Sequence, residues 1–280
     1  MTPRSDEPPG VPLGLLRERV RRAGRLLVAF SGGVDSALLA AVAAQELGSD
    51  AVAATAVSAS LPAAERRAAR DFARAHGIGH VEVCTDELDR PEYTANGGDR
   101  CFHCKTALLD ALVPLAQLSG AAIALGTNLD DLGDHRPGQR AAAARGAITP
   151  LVDAGLGKDA VRRVSALLGL GTAAKPAAAC LSSRVAYGEQ VTVAVLARIE
   201  AAEDGLHALG FPVCRVRVHG GGTVARVELP AAELDHAMAR RTELDAVVRA
   251  AGFPFCALDL QGFRSGRMNV LLGVPGVGGP

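Results

Sequence analysis

Short apolar runs alternate with longer stretches of helical periodicity through the first two thirds of the chain. The apolar runs predict buried strands at residues 26–30, 51–57, 80–84 and 121–125. The stretches that follow them predict helices at residues 35–47, 62–76, 106–118 and 158–168. This alternation predicts an α/β fold, with a doubly wound, mostly parallel sheet and helices on both of its faces.

The last third of the chain has a different pattern. Residues 169–190 are broken by Lys175-Pro176 and Tyr187-Gly188 and predict an irregular linker. Beyond it the pattern predicts a small α+β unit, with a helix at 193–209, strands at 213–218, 224–229 and 255–260, and a hairpin turn at Gly220–Gly222. We therefore expect a first domain at 12–170, a linker carrying Cys180 at 171–192, and a second domain at 193–272.

The first apolar run leads directly into Ser31-Gly32-Gly33-Val34-Asp35-Ser36. Its glycines allow a sharp turn close to a ligand, and the start of the next helix offers unpaired N–H groups. With the hydroxyls of Ser31 and Ser36, these groups predict a phosphate-binding loop. It is not a Walker A loop, because no Gly-Lys-Ser/Thr follows the glycines. A Ser/Gly turn without a ligand is the alternative.

More polar residues follow the other predicted strands and should gather at the same edge of the sheet. They are Ser58 and the run Gly126-Thr127-Asn128-Leu129-Asp130-Asp131. Carboxylates beside a polyphosphate are natural Mg²⁺ ligands, and Asp131 is our candidate, although Asn and Asp also favour helix caps. The candidates to neutralise pyrophosphate, each of which is otherwise a surface charge, are Lys105, Arg136 and Lys158.

Three of the six cysteines are candidates for chemistry. Cys101 and Cys104 are three positions apart in Arg100-Cys101-Phe102-His103-Cys104-Lys105, and Cys180 lies in the linker. Three thiols can hold three irons of a cubane cluster, bind zinc with His103, or remain ordinary thiols. We expect His103 to be a surface or packed side chain. The cysteines that fall within apolar strand patterns predict core residues, and they are Cys84, Cys214 and Cys256.

Two arginines of the second domain, Arg215 and Arg217, fall on one face of a predicted strand. Paired guanidinium groups suit an anionic ligand. Arg226 and Glu228 alternate on the neighbouring strand, so cross-strand Arg–Glu pairs on an exposed face are the alternative. On the preceding helix, Glu200 and Glu203 are either counter-charges of these arginines or ligands of a divalent cation.

Composition limits the environment and the partners. Thirty basic and 30 acidic residues give a net charge of zero, which argues against a broad nucleic-acid-binding surface. Residues 1–10 are polar, and no later stretch is apolar for long enough to span a membrane. We therefore expect a cytoplasmic protein with reduced cysteines and a small-molecule partner.

Together these motifs, in this order, resemble the LarE family over residues 12–270. The family belongs to the ATP pyrophosphatases that share the Ser-Gly-Gly-x-Asp-Ser loop. The motifs that carry the resemblance are Ser-Gly-Gly-Val-Asp-Ser, Arg-Cys-x-x-Cys-Lys, Gly-Thr-Asn-x-Asp-Asp, Arg136-Pro137-Gly138, Pro150-Leu151, Lys175-Pro176, Cys180-Leu181-x-Ser183-Arg184, Arg215-Val216-Arg217 and Asp259-Leu260-x-Gly262.

The resemblance implies an ATP- and Mg²⁺-dependent sulfur transferase that helps to make the nickel-pincer nucleotide of lactate racemase. ATP adenylylates a carboxylate of pyridinium biscarboxylic acid mononucleotide, and sulfur then replaces AMP. The resemblance also implies that Arg215 and Arg217, with Arg184, bind the substrate phosphate. Since members are commonly oligomeric, we expect a homo-oligomer.

The family obtains its sulfur in two ways. In one, a cysteine that matches Cys180 gives up its own sulfur and becomes dehydroalanine. In the other, three cysteines hold a 4Fe–4S cluster whose open iron carries an extra sulfide. Because Cys101 and Cys104 are present with Cys180, the chain resembles the cluster type. The alternatives outside this family are an amidating synthetase, a tRNA thiolase and a regulator that binds ATP without turning it over.

Overall fold

The computed structural model describes residues 10–132, 144–176, 179–264, 268 and 270. They divide into two compact units. The first unit contains the described residues up to 86 and those of 101–176, and the second contains 87–100 and the described residues from 179 onwards. No pattern in the sequence indicated that 87–100 group with the second unit. The predicted boundaries at 170 and 192 stay a proposal.

The first unit is built on a parallel sheet. Its strands are β1 (Leu26–Ala29), β2 (Ala51–Val57), β3 (Gly79–Cys84) and β4 (Ala122–Leu125), in the order β3-β2-β1-β4. Residue Leu26 of β1 is in register with Ala51 on one side and with Ala122 on the other. The chain moves outward from β1 to β3 and then returns to the far side of β1. The crevice between the ends of β1 and β4 is thus the position at which open α/β sheets bind ligands.

Helices cover both faces of this sheet, which confirms the predicted α/β class. Those of the first unit are α1 (Gly10–Ala23), α2 (Val34–Leu47), α3 (Ala63–Ala75), α5 (Arg100–Ser119, of which Arg100 groups with the second unit), α6 (Leu129–Leu132), α7 (Pro150–Asp153) and α8 (Lys158–Leu167). In the described part of the chain, every helix is too short or too polar to cross a membrane. Helix α1 was not predicted, although its buried Leu13, Leu16 and Val20 recur at helical spacing.

Each face of the sheet has its own apolar core. Helix α2 is continuously buried from Ser36 to Ala43 and packs with α1, α3 and α8 on one face. On the other face, α5 places Leu109, Leu112 and Ala116 against the strands. Because β3 is an edge strand, its last residue Cys84 is exposed. The prediction that Cys84 is a core residue is therefore wrong.

The second unit contains a three-stranded sheet. Its strands are β5 (Arg215–His219), β6 (Val224–Glu228) and β7 (Phe255–Leu258), with β5 antiparallel and β7 parallel to β6. Its helices are α4 (Pro91–Thr94), α9 (Val193–Ala208), α10 (Leu234–Ala239) and α11 (Arg241–Ala250).

The hairpin between β5 and β6 is confirmed, and Gly220–Gly222 all have positive φ, which explains the three glycines. Alternation along β5 separates an apolar face from a polar one. Val216 and Val218 are buried in the core of the unit, whereas Arg215 and Arg217 belong to the opposite face. The predicted core positions of the cysteines hold for Cys214, which is buried, and in part for Cys256.

Candidate active site

The loop between β1 and α2 is a tight turn closed by its own serines. The Ser31 backbone N–H donates to Oγ of Ser36 over 3.2 Å, and the two serine Oγ atoms are 3.1 Å apart. The hydroxyl of Ser36 also donates to the Gly33 carbonyl over 3.2 Å. Gly32 has φ of +71°, and a Cβ there would lie 3.4 Å from Cβ of Ala69. This turn therefore requires a glycine.

The first turn of α2 is free of any side-chain cap. Gly33 occupies the N-cap position in an extended conformation and has no side chain to accept a hydrogen bond. The first N–H groups of a helix have no partners within the helix, and the helix dipole adds positive potential there. The loop thus has the form of an anion-binding cradle.

The segment after β4 packs directly on this cradle. A Cβ atom added to Gly126 would lie 2.8 Å from the backbone nitrogen of Ser36 and 2.9 Å from its Cα atom. Only a glycine allows the two backbone segments to approach so closely. The structure therefore brings together the two motifs that the sequence predicted would meet at the edge of the sheet.

A hydrogen-bond network joins the carboxylates of these motifs. Asn128 donates from Nδ2 to Oδ1 of Asp35 over 3.0 Å, and its backbone N–H donates to Oδ2 of Asp131 over 3.2 Å. Burial raises the pKa of Asp35, the bond from Asn128 opposes this rise, the charge of Asp131 adds to it, and Lys158 lowers the pKa. Two carboxylates that repel each other beside an anion cradle fit a divalent cation.

Asp130 has a different role, because its carboxylate accepts the backbone N–H of Lys158 at the start of α8. The alternative reading of this motif, as a helix cap, holds for Asn128, whose Oδ1 accepts the backbone N–H groups of Asp130 over 3.0 Å and Asp131 over 3.2 Å at the start of α6.

The remaining predicted ATP-site residues are less well defined. The Oγ atom of Ser58 lies 2.8 Å from Oγ of Ser60 and accepts the Ser60 N–H over 3.2 Å. Thr127 is half-buried after β4, and Lys105 lies in the second turn of α5. Arg136 lies outside the described residues.

Sequence reasoning missed Lys175 as a site residue. Its Nζ atom donates to the carbonyl of Gly32 over 3.0 Å and to Oε2 of Glu65 over 2.6 Å. In the sequence, Lys175 indicates only a break in regular structure within the linker and a part of the family resemblance. The signal that could have identified it is that Lys175-Pro176 belongs to the same set of family motifs as the phosphate-binding loop.

The candidate cysteines lie in a helix and in a short turn. Helix α5 begins at Arg100 rather than at the predicted residue 106, so Cys101 and Cys104 share one face of its first turns. None of the six cysteines is in a disulfide; Cys101 is exposed, and Cys104 and Cys180 are partly exposed. No three His, Cys, Asp or Glu side chains meet as a metal site within the part of the chain that the structure describes.

The segment that follows Cys180 is firmly held within the second unit. The hydroxyls of Tyr93 and Ser182 are 2.6 Å apart, and Arg100 donates to the Ser182 carbonyl over 3.0 Å. Arg100 directly precedes Cys101, and Ser182 follows Cys180 by two residues. Both contacts lie within the second unit.

Arg184 is fully paired. It forms two 3.0 Å hydrogen bonds to Glu203 and donates to the carbonyls of Ala179 over 2.6 Å and Cys180 over 2.9 Å. The Val216 N–H also donates to Glu203 over 2.9 Å. Of the two predicted roles of Glu203, counter-charge or metal ligand, the geometry favours the counter-charge. Glu200 is half-buried on the same helix, α9.

Arg215 and Arg217 differ in their charge partners. Arg217 pairs with the buried Glu228 over 3.0 Å and donates to the Ser183 carbonyl over 3.0 Å. Arg215 lies 5.1 Å from the centre of the Phe263 ring, and no carboxylate among the described residues is within ion-pair distance of it. Burial, and then the charge of Arg184, lower the pKa of Arg215. Arg215 is the guanidinium of this group that has no counter-ion.

Comparison with known proteins places this site in a family. Residues 15–94 match the asparagine synthase family. The chain is 44% identical over 260 residues to an uncharacterized protein of Synechocystis sp., covering 92% of this chain and 96% of the relative. It is 22% identical over 254 residues to an uncharacterized protein of Methanocaldococcus jannaschii, covering 89% of this chain and 94% of the relative.

A third relative has a named activity. The chain is 36% identical over 247 residues to the pyridinium-3,5-bisthiocarboxylic acid mononucleotide synthase of Lactiplantibacillus plantarum, covering 88% of this chain and 89% of the synthase. An alignment that covers this much of the chain extends over both units and not only over the Ser31–Ser36 loop. With the phosphate-binding loop and the matching motifs already described, it shows that the chain belongs to the LarE family, the family of this synthase.

Proposed function

We propose that this protein is an ATP-dependent sulfur transferase that converts a carboxylate of pyridinium biscarboxylic acid mononucleotide to a thiocarboxylate. The observation that carries the proposal is the 36% identity to the L. plantarum synthase across 88% of the chain. The uncapped first turn of α2 and the network around Asn128 support it, because they supply an anion cradle and carboxylates at one edge of the sheet.

In the first step, a substrate carboxylate oxygen attacks the α-phosphorus of ATP and pyrophosphate leaves. The N–H groups of the loop hold the phosphates, and Ser31 and Ser36 keep the loop in its tight turn. The carboxylates of Asp35 and Asp131 would hold Mg²⁺ together with phosphate oxygens. The cation supplies charge neutralisation for the leaving pyrophosphate.

In the second step, a sulfur nucleophile attacks the acyl-adenylate carbon and AMP leaves. We propose that Cys101, Cys104 and Cys180 hold a 4Fe–4S cluster, which would supply a transferable sulfide. The chemistry of the donors fits, since all three thiols are unbridged and at least partly exposed, and two share a helix face. A sacrificial Cys180, which would leave dehydroalanine, is the competing source.

Substrate recognition is assigned to the polar face of β5. Arg215 has no counter-ion among the described residues, so we propose that it makes the main contact with the substrate phosphate, with Arg217 and Arg184 adding to the positive potential. A lost charge-assisted hydrogen bond weakens binding by about 1.5–3 kcal/mol.

The test is pyrophosphate release from ATP in the presence of the dicarboxylate mononucleotide, with the thiocarboxylate identified by mass spectrometry. Asp35→Ala should abolish release while the fold is retained. Arg215→Ala should weaken substrate binding, whereas the exposed Arg249→Ala on α11 should match the wild type. The proposed substrate would be refuted if the wild-type protein releases no pyrophosphate with the mononucleotide but releases it while forming an amidated product or thiolated RNA.

The sulfur source has its own test. Anaerobically purified protein is expected to show the broad visible absorption of an iron–sulfur cluster, and Cys180 should stay intact through more than one turnover. Protein without iron whose Cys180 becomes dehydroalanine after a single turnover would instead establish the sacrificial route.

A further inference from the structure

We propose that Lys175 is an additional ligand of the ATP phosphates and that Glu65 binds the ammonium of Lys175 while the loop is empty. This inference rests on the proposed function, because it assumes that the Ser31–Ser36 loop binds ATP. Lys175 donates to the carbonyl of Gly32, within that loop, over 3.0 Å. The ammonium is therefore already positioned at the rim of the anion cradle.

The backbone around Lys175 is fixed, which leaves the side chain as the part that moves. Arg162 of α8 donates to the carbonyls of Ala173 over 2.7 Å and Lys175 over 3.2 Å. The Lys175 N–H donates to the carbonyl of Thr172 over 3.0 Å. A flexible four-carbon chain on a fixed backbone can turn its ammonium from one partner to another.

Glu65 can release the ammonium at little cost. The two side chains are about one-fifth and one-quarter exposed, so water screens their attraction and solvates the carboxylate when the lysine leaves. Glu65 also lies in the first turn of α3, where the helix dipole stabilises a negative charge without help from a cation. A polyphosphate in the loop carries several negative charges and can therefore compete successfully with this carboxylate.

The use of lysine at this position agrees with the assignment. Of the 30 basic residues, just three are lysines: Lys105, Lys158 and Lys175. A slim ammonium binds phosphate as a point charge and moves easily, whereas a guanidinium is a wide, planar fork. Lys175 thus differs in kind from arginines such as Arg184 and Arg217, which the structure shows in buried ion pairs.

The experiment measures the affinity of the full-length protein for Mg·ATP by calorimetry, together with thermal unfolding without ATP. Lys175→Met should lower the affinity about 10- to 100-fold, as expected for the loss of one charge-assisted contact. Glu65→Gln should raise it several-fold, because the competitor for the ammonium is weakened. The exposed Arg74→Gln, on the same helix as Glu65, is the control and should leave the affinity unchanged.

The double variant Lys175→Met/Glu65→Gln shows whether Glu65 acts through Lys175. The gain from Glu65→Gln should vanish when Lys175 is absent, which a double-mutant cycle measures directly. A purely structural ion pair predicts something different, namely that both single variants lose stability and both lose ATP affinity. If Lys175→Met does not fold, Glu65→Gln decides alone, since lowered affinity overturns the inference and raised affinity supports it.

The outcomes separate this inference from the proposed function. Wild-type protein that does not bind Mg·ATP overturns both. Wild-type protein that binds, with Lys175→Met binding equally well, overturns the assignment of Lys175 and leaves the proposed function in place.

Discussion

Replacing Gly126 by alanine tests the close approach on which the proposed ATP site depends. The new Cβ would lie 2.8 Å from the Ser36 nitrogen, 2.9 Å from its Cα atom and 3.1 Å from the Asp35 carbonyl carbon. All three are backbone atoms, so no side chain can rotate away to make room. We expect the overpacking to cost about 1–3 kcal/mol of the free energy of unfolding.

Gly171→Ala is the matched control. Gly171 belongs to the same unit, a Cβ there would meet nothing within 4 Å, and its φ is not in the left-handed region. Both substitutions reduce the conformational freedom of the unfolded chain equally, which by itself stabilises a protein by about 0.4–1 kcal/mol. The difference between the two variants therefore isolates the clash, and it should amount to about 1–3 kcal/mol.

Urea denaturation of both variants measures this difference, and calorimetry with Mg·ATP measures its effect on the loop. Because Ser36 lies in the first turn of the helix that forms the anion cradle, Gly126→Ala should also weaken ATP binding, whereas Gly171→Ala should not. The reasoning is refuted if Gly126→Ala is as stable as Gly171→Ala, since the two backbone segments could not then be in contact.

Three further predictions concern charge and reactivity. Two arginines lower the pKa of Glu82 to about 2. Above pH 4.5, the wild type should therefore be more stable than Glu82→Gln, by at most about 1 kcal/mol because this cluster is partly exposed. That advantage should disappear in urea titrations as the pH falls to about 2, and a constant difference would contradict it. In the same assay, Glu203→Gln should lower the free energy of unfolding by about 3 kcal/mol, because it leaves the buried Arg184 without its counter-charge. Equal stability of the variant and the wild type would refute this. Burial raises the pKa of Cys214 from 9.0 to about 12 and shields its thiol, so iodoacetamide should modify it far more slowly than the exposed Cys84. Peptide mass spectrometry checks this, and comparable labelling of both thiols in folded protein would exclude the buried position.

The sheet of the first unit could be predicted because its signals are local. Four short apolar runs predict the four strands, of which the edge strand β3 is not buried, and glycines and polar residues end each of them. The loop after β1 and the motif after β4 could also be placed together, since parallel strands end at a common edge. These inferences need periodicity and chain direction but no knowledge of side-chain partners.

What the sequence did not indicate depends on contacts between distant residues. Cys84 has the neighbours of a core residue along the chain, yet it is exposed because its strand lies at the edge of the sheet. Lys175 precedes a proline in a segment without periodicity, and its role follows only from its contact with Gly32, 143 positions earlier. Helix α1 was missed because the polar, proline-containing start of the chain obscured a pattern of only four buried positions.

The arginines of β5 show how far a pattern can lead before geometry is needed. Alternation places Arg215 and Arg217 on one face and makes them appear equivalent. They are distinguished by Glu228, which is buried on the neighbouring strand and pairs with Arg217 and Arg226. A guanidinium that is already neutralised gains less from a phosphate than one without a counter-ion. The binding of an anionic substrate should therefore depend more on Arg215, and the stability of the unit more on Arg217.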